Sequence, residues 1–224
     1  MSHPPATLHV KICGLTRIED VEAAISAGAD MIGLNFVPGS PRCIDVARAR
    51  ALAGAARGRV EIVGVVADLD PLQVKAIVAD VGLDRVQLHG DEPPEVIGAL
   101  APHAFKALRI GGAEDVALAA RYEGDLLLVD ARVPGQQGGT GVRVDPALVV
   151  GLARARRLLL AGGLGPDNVA EAVRVVRPWG VDVASGVEDA PGIKDERKVR
   201  AFVHEARRAA QEAREAADGA DDAR

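Results

Sequence analysis

The sequence predicts a closed (β/α)8 (TIM) barrel in one α/β domain, and three observations lead there. Eight apolar, β-branched runs of strand length alternate with stretches of helical spacing along the whole chain. Several of those runs, such as Ile62 to Val66 and Leu126 to Val129, are continuously apolar, as strands covered on both faces must be. Two glycine-rich turns, Ala161-Gly162-Gly163-Leu164 and Ala184-Ser185-Gly186-Val187, each follow a late run, where a parallel barrel commonly carries a phosphate cradle. Glycine admits an anion close to the backbone, and N–H groups at the following helix starts supply donors and a favourable dipole. An open doubly wound sheet is the alternative arrangement of the same units.

In order, the strand-length runs begin near Leu8, Met31, Glu61, Arg85, Ala104, Asp125, Arg157 and Gly180. Helical spacing between them is clearest at Ile18, Val21, Ala24 and Ile25, and at Val74, Ile77, Val78 and Val81. Thr16 with Glu19 reads as a capping box, Asp45 and Asp70 precede helical patterns, and Pro166 sits where a first helical turn tolerates it. The expected boundaries are an N-terminal extension over 1–7, the barrel over 8–213, and a frayed or disordered tail over 214–224.

Composition narrows the function. At 224 residues and 48% apolar, the chain can bury one sizeable core. A net charge of −5 with 2% aromatic residues argues against nucleic acid as a partner. Neither a basic-then-apolar leader nor a membrane-length apolar run is present, so a cytoplasmic protein is expected. Cys13 and Cys43 are too few for a disulfide scaffold and are expected as thiols.

In such a barrel, polar residues at the C-terminal strand ends face the active site. Cys13 ends the first strand, His89 the fourth and Asp130 the sixth; Arg42 lies in the loop after the second, and Asp182 lies inside the eighth. A thiol and a carboxyl at opposed strand ends, above a phosphate cradle, make an acid–base pair able to move a proton on a sugar phosphate.

These residues carry a resemblance. The segments Lys11-Ile12-Cys13-Gly14-Leu15-Thr16, Pro38-Gly39-Ser40-Pro41-Arg42, Val86-Gln87-Leu88-His89-Gly90, Leu128-Val129-Asp130, Gly138-Gly139-Thr140-Gly141, Gly162-Gly163-Leu164 and Asp182-Val183-Ala184-Ser185-Gly186-Val187-Glu188 resemble, in order, those of phosphoribosylanthranilate isomerase of the tryptophan pathway. Each motif alone is weak, and the ordered set is highly specific. The resemblance implies a (β/α)8 enzyme without metal or cofactor. Its substrate would be the small phosphorylated N-(5-phosphoribosyl)anthranilate, rearranged by Amadori chemistry, and the enzyme a monomer or homodimer.

By similarity Asp130 is the general acid and Cys13 the general base. The phosphate falls on Gly162, Gly163, Ser185 and Gly186, and Arg42 meets the anthranilate carboxylate. His89 and Asp182 are expected at the substrate, with Asp182 also the second candidate acid. A free thiol titrates near about 8.5, so Cys13 is expected to be lowered by a neighbour such as Lys11, on the same strand face. Asp130 is expected to be raised by desolvation. Glu188 and Lys194 read as loop solvation or ion pairing.

The glycine-rich loop 131–144 has the length of a lid. The chain departs from the family pattern at Val142-Arg143-Val144, where a Lys and an aromatic are usual, and at Cys43, where a Tyr is frequent. Cys43 also opens the prospect of a silencing Cys13–Cys43 disulfide. Within the same fold, a histidine-pathway isomerase or a tryptophan synthase α subunit places a carboxylate where Cys13 stands. A catalytically silent phosphate-binding barrel is expected to lack Cys13 or Asp130.

Overall fold

The computed structural model describes residues 7–130 and 146–221. The loop at 131–144, including Gly138 to Gly141 and Val142-Arg143-Val144, lies outside the described residues, as do 1–6 of the expected N-terminal extension. Eight parallel strands close on themselves in sequence order: β1 (His9–Cys13), β2 (Met31–Asn35), β3 (Glu61–Val66), β4 (Arg85–Leu88), β5 (Ala104–Arg109), β6 (Leu126–Asp130), β7 (Arg157–Ala161) and β8 (Gly180–Val183). Closure is made by β1 against β8, with Lys11 beside Asp182 in the register. The open doubly wound alternative is thereby excluded, since its sheet has two edges. Each expected run starts within one residue of an observed strand.

The helices are α1 (Ile18–Ser26), α2 (Val46–Ala56), α3 (Pro71–Val81), α4 (Pro94–Leu100), α5 (Ala113–Ala119), α6 (Pro146–Ala155), α7 (Val169–Val176) and α8 (Glu196–Asp221). The last runs to Asp221 and so takes in most of the stretch, 214–224, expected to form a tail. A 3₁₀ turn at Ser185–Val187 and a hairpin of β9 (Glu188–Ala190) and β10 (Ile193–Lys194) separate β8 from α8.

Local chemistry explains the starts of α2 and α3 and corrects two expectations. The Asp45 side chain caps α2 by accepting from the Arg48 amide, and Asp70 with Gln73 forms a capping box on α3. Thr16 does not cap α1; that position is Arg17, and the Thr16 hydroxyl donates instead to the Gly192 carbonyl of the returning hairpin. A long-range acceptor has taken the hydroxyl away from the local amide donor a cap would use. Pro166 stands in the turn before α7, which starts only at Val169.

Strand alternation divides the core in two. Val63, Phe105, Ala107, Leu128 and Leu159 fill the barrel, while the larger cluster, including Val10, Ile12, Leu88 and Val181, packs the strands against the helices. Each fully buried Leu, Val or Phe contributes about 1.5–3 kcal/mol. Lys11 interrupts the apolar interior, wholly buried and paired with Asp182 across the closing seam, Nζ to Oδ1 2.8 Å. No helix among the described residues is long and apolar enough to cross a membrane.

Candidate active site

Every second residue of a strand faces the barrel interior, so Cys13, Asn35, His89, Arg109 and Asp130 arrive together at the C-terminal mouth. There a cavity of about 360 Å³ opens, within the range of small-molecule sites. Its wall holds Cys13, Arg42, His89, Asp130, Asp182, Gly162, Gly163 and Ser185. Of the residues expected from sequence to act on or bind the substrate, Gly186 is the one not on that wall.

Gly186 sits behind the wall for a steric reason. A Cβ there would lie 1.9 Å from the Leu164 carbonyl oxygen, and its own carbonyl faces Gly165. The two late loops therefore touch through bare backbone. Gly162 and Gly163, with φ of 102° and 65°, turn the β7 loop along a path side chains resist. A Gly186→Ala exchange must push these loops apart. We expect it to cost about 1–3 kcal/mol in stability and to weaken inorganic phosphate binding. Urea unfolding and phosphate calorimetry check this, and unchanged values for both would refute the backbone contact.

Cys13 is 8% exposed and faces Gly33 across the β1–β2 register. A Cβ at Gly33 would stand 2.6 Å from the sulfur, so the missing side chain is the space the thiol occupies. Sequence reading passed over Gly33. The expected lowering of the thiol is not what the site produces: burial pushes Cys13 up, and the pull of Lys11 and Lys194 does not overcome it. Burial also opposes the Lys11 charge, yet the Asp182 carboxylate, together with the Cys13 sulfur when ionised, outweighs it and holds that proton more firmly than in an ordinary lysine.

Asp130, half-buried at the end of β6, lies in register with Arg109 on one side and Ala161 on the other. Arg109 is a second residue the sequence reading missed; the period-two alternation through Phe105 and Ala107 would have placed it at the mouth. His89 is desolvated, which lowers it below its ordinary value. Its Nδ1 lies 2.9 Å from the Gln87 side-chain amide, which holds the ring in place. Gln87 is 1% exposed and shares the cavity wall. Behind this strand end, Lys106 donates to the Gly90 carbonyl and pairs with Glu92 at 2.8 Å, while Glu92 accepts from the Asp68 and Gly90 amides. The loop after His89 is thus pinned from outside the barrel.

Arg42 stands on the β2 loop, whose turn is shaped by Asn35: its Oδ1 accepts from the Val37 amide and its Nδ2 donates to Ser40. The guanidinium is bidentate on Glu188, at 2.7 and 2.6 Å, and Lys194 reaches the same carboxylate at 2.9 Å. Burial works to raise Glu188, but the bonds from Arg42 and Lys194 prevail and leave it below the usual carboxylate range. The ion-pairing alternative for Glu188 and Lys194 is the one seen. Cys43 bridges to Asn35, is exposed and lies off the cavity wall; both cysteines are free.

Known proteins with this architecture share far more than the barrel. Residues 10–205 match the family model described as N-(5'phosphoribosyl)anthranilate (PRA) isomerase. N-(5'-phosphoribosyl)anthranilate isomerase of Myxococcus xanthus is 50% identical over 206 residues, covering 90% of this chain and 97% of that protein. The enzyme of the same name from Afipia carboxidovorans is 46% identical, covering 91% of each. Among solved structures, phosphoribosyl anthranilate isomerase from Thermotoga maritima superposes with a TM-score of 0.80 at 36% identity, over 89% of this chain and 98% of that one. A structure of a phosphoribosyl anthranilate isomerase in complex with reduced 1-(o-carboxyphenylamino)-1-deoxyribulose 5-phosphate gives 0.78 at 34% identity, with the same coverages. With the barrel closed in family order and matched over nearly its whole length, the chain belongs to the N-(5'-phosphoribosyl)anthranilate isomerase family.

Proposed function

We propose that this chain converts N-(5-phosphoribosyl)anthranilate to 1-(2-carboxyphenylamino)-1-deoxyribulose 5-phosphate, with Asp130 as general acid and Cys13 as general base. One observation carries the assignment of roles. A thiol and a carboxyl on two different strands, β1 and β6, open into one cavity whose wall between them carries Gly162, Gly163 and Ser185 of the β7 and β8 loops.

The steps follow from what an aldosylamine needs to become an aminoketose. Asp130 delivers a proton to the furanose ring oxygen as the bond from that oxygen to C1 breaks. The nitrogen lone pair fills the gap and leaves an iminium at C1. That cation acidifies the C2 proton, which the Cys13 thiolate removes to give an enolamine. C1 then takes up a proton while the 2-hydroxyl gives one up, and the ketone forms with no net gain or loss. Neutral His89, held by Gln87, can hydrogen-bond sugar oxygens without adding charge. The phosphate rests on the Gly162, Gly163 and Ser185 backbone, with Gly186 setting the spacing behind it, and Arg42 takes the ring carboxylate.

The family membership and the product analogue bound to a structural relative support this reading. It carries with it a cytoplasmic enzyme, monomer or homodimer, working on a small phosphorylated substrate with no nucleic-acid partner and no cofactor. The test is a steady-state assay with freshly generated phosphoribosylanthranilate in the presence of EDTA, following the loss of anthranilate-type fluorescence. Turnover is expected. A signal no faster than the spontaneous decay of the substrate would overturn the proposal.

A further inference from the structure

Arg42 reaches the cavity already engaged. Its Nε and Nη2 donate to the two oxygens of Glu188, whose side chain is only 5% exposed. The same carboxylate accepts from Lys194 Nζ and from the Gly192 amide, and Lys194, its side chain wholly buried, also donates to the Ala184 carbonyl. Glu188 opens β9 and Lys194 lies opposite it on β10, so one small hairpin delivers both charges to a loop 146 residues earlier in the chain. Gly14, at φ +74°, leaves the room the arginine stem needs, because a Cβ there would come within 2.4 Å of Arg42 Cδ.

Two features of this cluster bear on a ligand. A bidentate bond along the Nε–Nη2 edge fixes the guanidinium plane and leaves the Nη1 edge for a second acceptor. A lone arginine on a loop would have to surrender rotamer freedom when the ligand arrived. Charge is the second feature. Arg42 and Glu188 alone sum to zero and would offer a carboxylate little attraction. Lys194 adds a buried positive charge, so two cations and one anion leave the cluster with one net positive charge beside the cavity.

We propose that Glu188 is a positioning residue for carboxylate recognition, holding the plane of Arg42 toward the substrate's ring carboxylate, and that Lys194 cancels the charge Glu188 brings. The proposal rests on the reading that Arg42 meets that carboxylate. A hairpin latch without this role would hold the fold together yet treat ligands with and without the carboxylate alike.

The experiment compares two probes by calorimetry: reduced 1-(o-carboxyphenylamino)-1-deoxyribulose 5-phosphate, and the same compound with an unsubstituted phenyl ring. The parent protein is expected to prefer the carboxylated probe by more than about tenfold, as a charge-assisted hydrogen bond allows. Arg42→Ala should abolish that preference. Glu188→Gln, and independently Lys194→Gln, should reduce it by about tenfold while leaving affinity for the phenyl probe within about twofold. If Arg42→Ala removes the preference but neither of the other variants alters it, the positioning role is overturned and the Arg42 reading stands. If both probes weaken equally in Glu188→Gln and in Lys194→Gln, the cluster is a latch and the proposal fails. If Arg42→Ala keeps the preference, the reading of Arg42 falls and the proposal with it. Should Glu188→Gln not fold, the Lys194→Gln result decides.

Discussion

Cys13→Ser is expected to lower kcat by about 100- to 10,000-fold, the usual worth of a placed proton acceptor, while phosphate binding and the unfolding midpoint stay near those of the parent. Oxygen replaces sulfur in the pocket that Gly33 leaves open, so packing changes little. The chemistry changes greatly, since a hydroxyl is a far weaker acid than a thiol and cannot supply an anion near neutral pH. The direction of the thiol's shift sharpens the expectation. Burial has pushed Cys13 above its ordinary range, with Lys11 and Lys194 restraining the rise. A raised thiol yields a stronger base once ionised, at the cost of a smaller ionised fraction at neutral pH. Turnover should therefore climb with pH through the thiol's elevated range, and that limb should vanish in Cys13→Ser. Iodoacetamide should react slowly with Cys13 and rapidly with the exposed Cys43. A variant within a few-fold of parental kcat would end the assignment of the base.

Much of this was legible because parallel barrels write themselves plainly. A strand covered on both faces reads as an unbroken apolar run, which is why Ile62 to Val66 and Leu126 to Val129 marked their strands, and why the first polar residue after such a run, Asp130, stood out. The mouth residues followed from counting strand ends. What stayed hidden falls into two kinds. Partners distant in sequence, such as Glu188 for Arg42 and Gly192 for Thr16, are brought together only by the hairpin after β8, and no local pattern announces them. Residues whose work is to be small or neutral were passed over as well. Gly33 makes space, and Gln87 holds the ring of His89; stepping back two residues from Asn35 and from His89 would have put both on the inner face. The thiol's shift was misjudged for a related reason: Lys11 was visible two residues away, but its commitment to Asp182 and the depth of the sulfur were not.

Asp130→Asn should reduce kcat by a comparable factor, about 100- to 10,000-fold, with the unfolding midpoint nearly unchanged, and its comparison with Asp182→Asn separates the two carboxyls that could serve as acid. Asparagine matches the shape of Asp130 and still bonds the sugar, but it has no proton to hand to the ring oxygen. Ring opening, the first step, should then limit the rate. Asp182 is placed differently. Its oxygen lies 2.8 Å from the ammonium of Lys11, a group with no exposure at all, so neutralising Asp182 strands a buried charge. That loss should cost about 3–5 kcal/mol and appear as a lower urea midpoint before any kinetic measurement is made. The two variants should therefore fail in opposite ways: Asp130→Asn as a stable protein that binds but does not turn over, and Asp182→Asn as a weakened one. An added reading comes from the substrate itself. If Asp130 acts at the ring oxygen, a carbocyclic analogue that lacks that oxygen should bind Asp130→Asn and the parent with similar affinity, because the proton it would receive has nowhere to go. Should Asp182→Asn instead retain full stability and lose turnover while Asp130→Asn remains active, the acid is on β8 and the proposed order of proton transfers must be redrawn around the closing seam of the barrel.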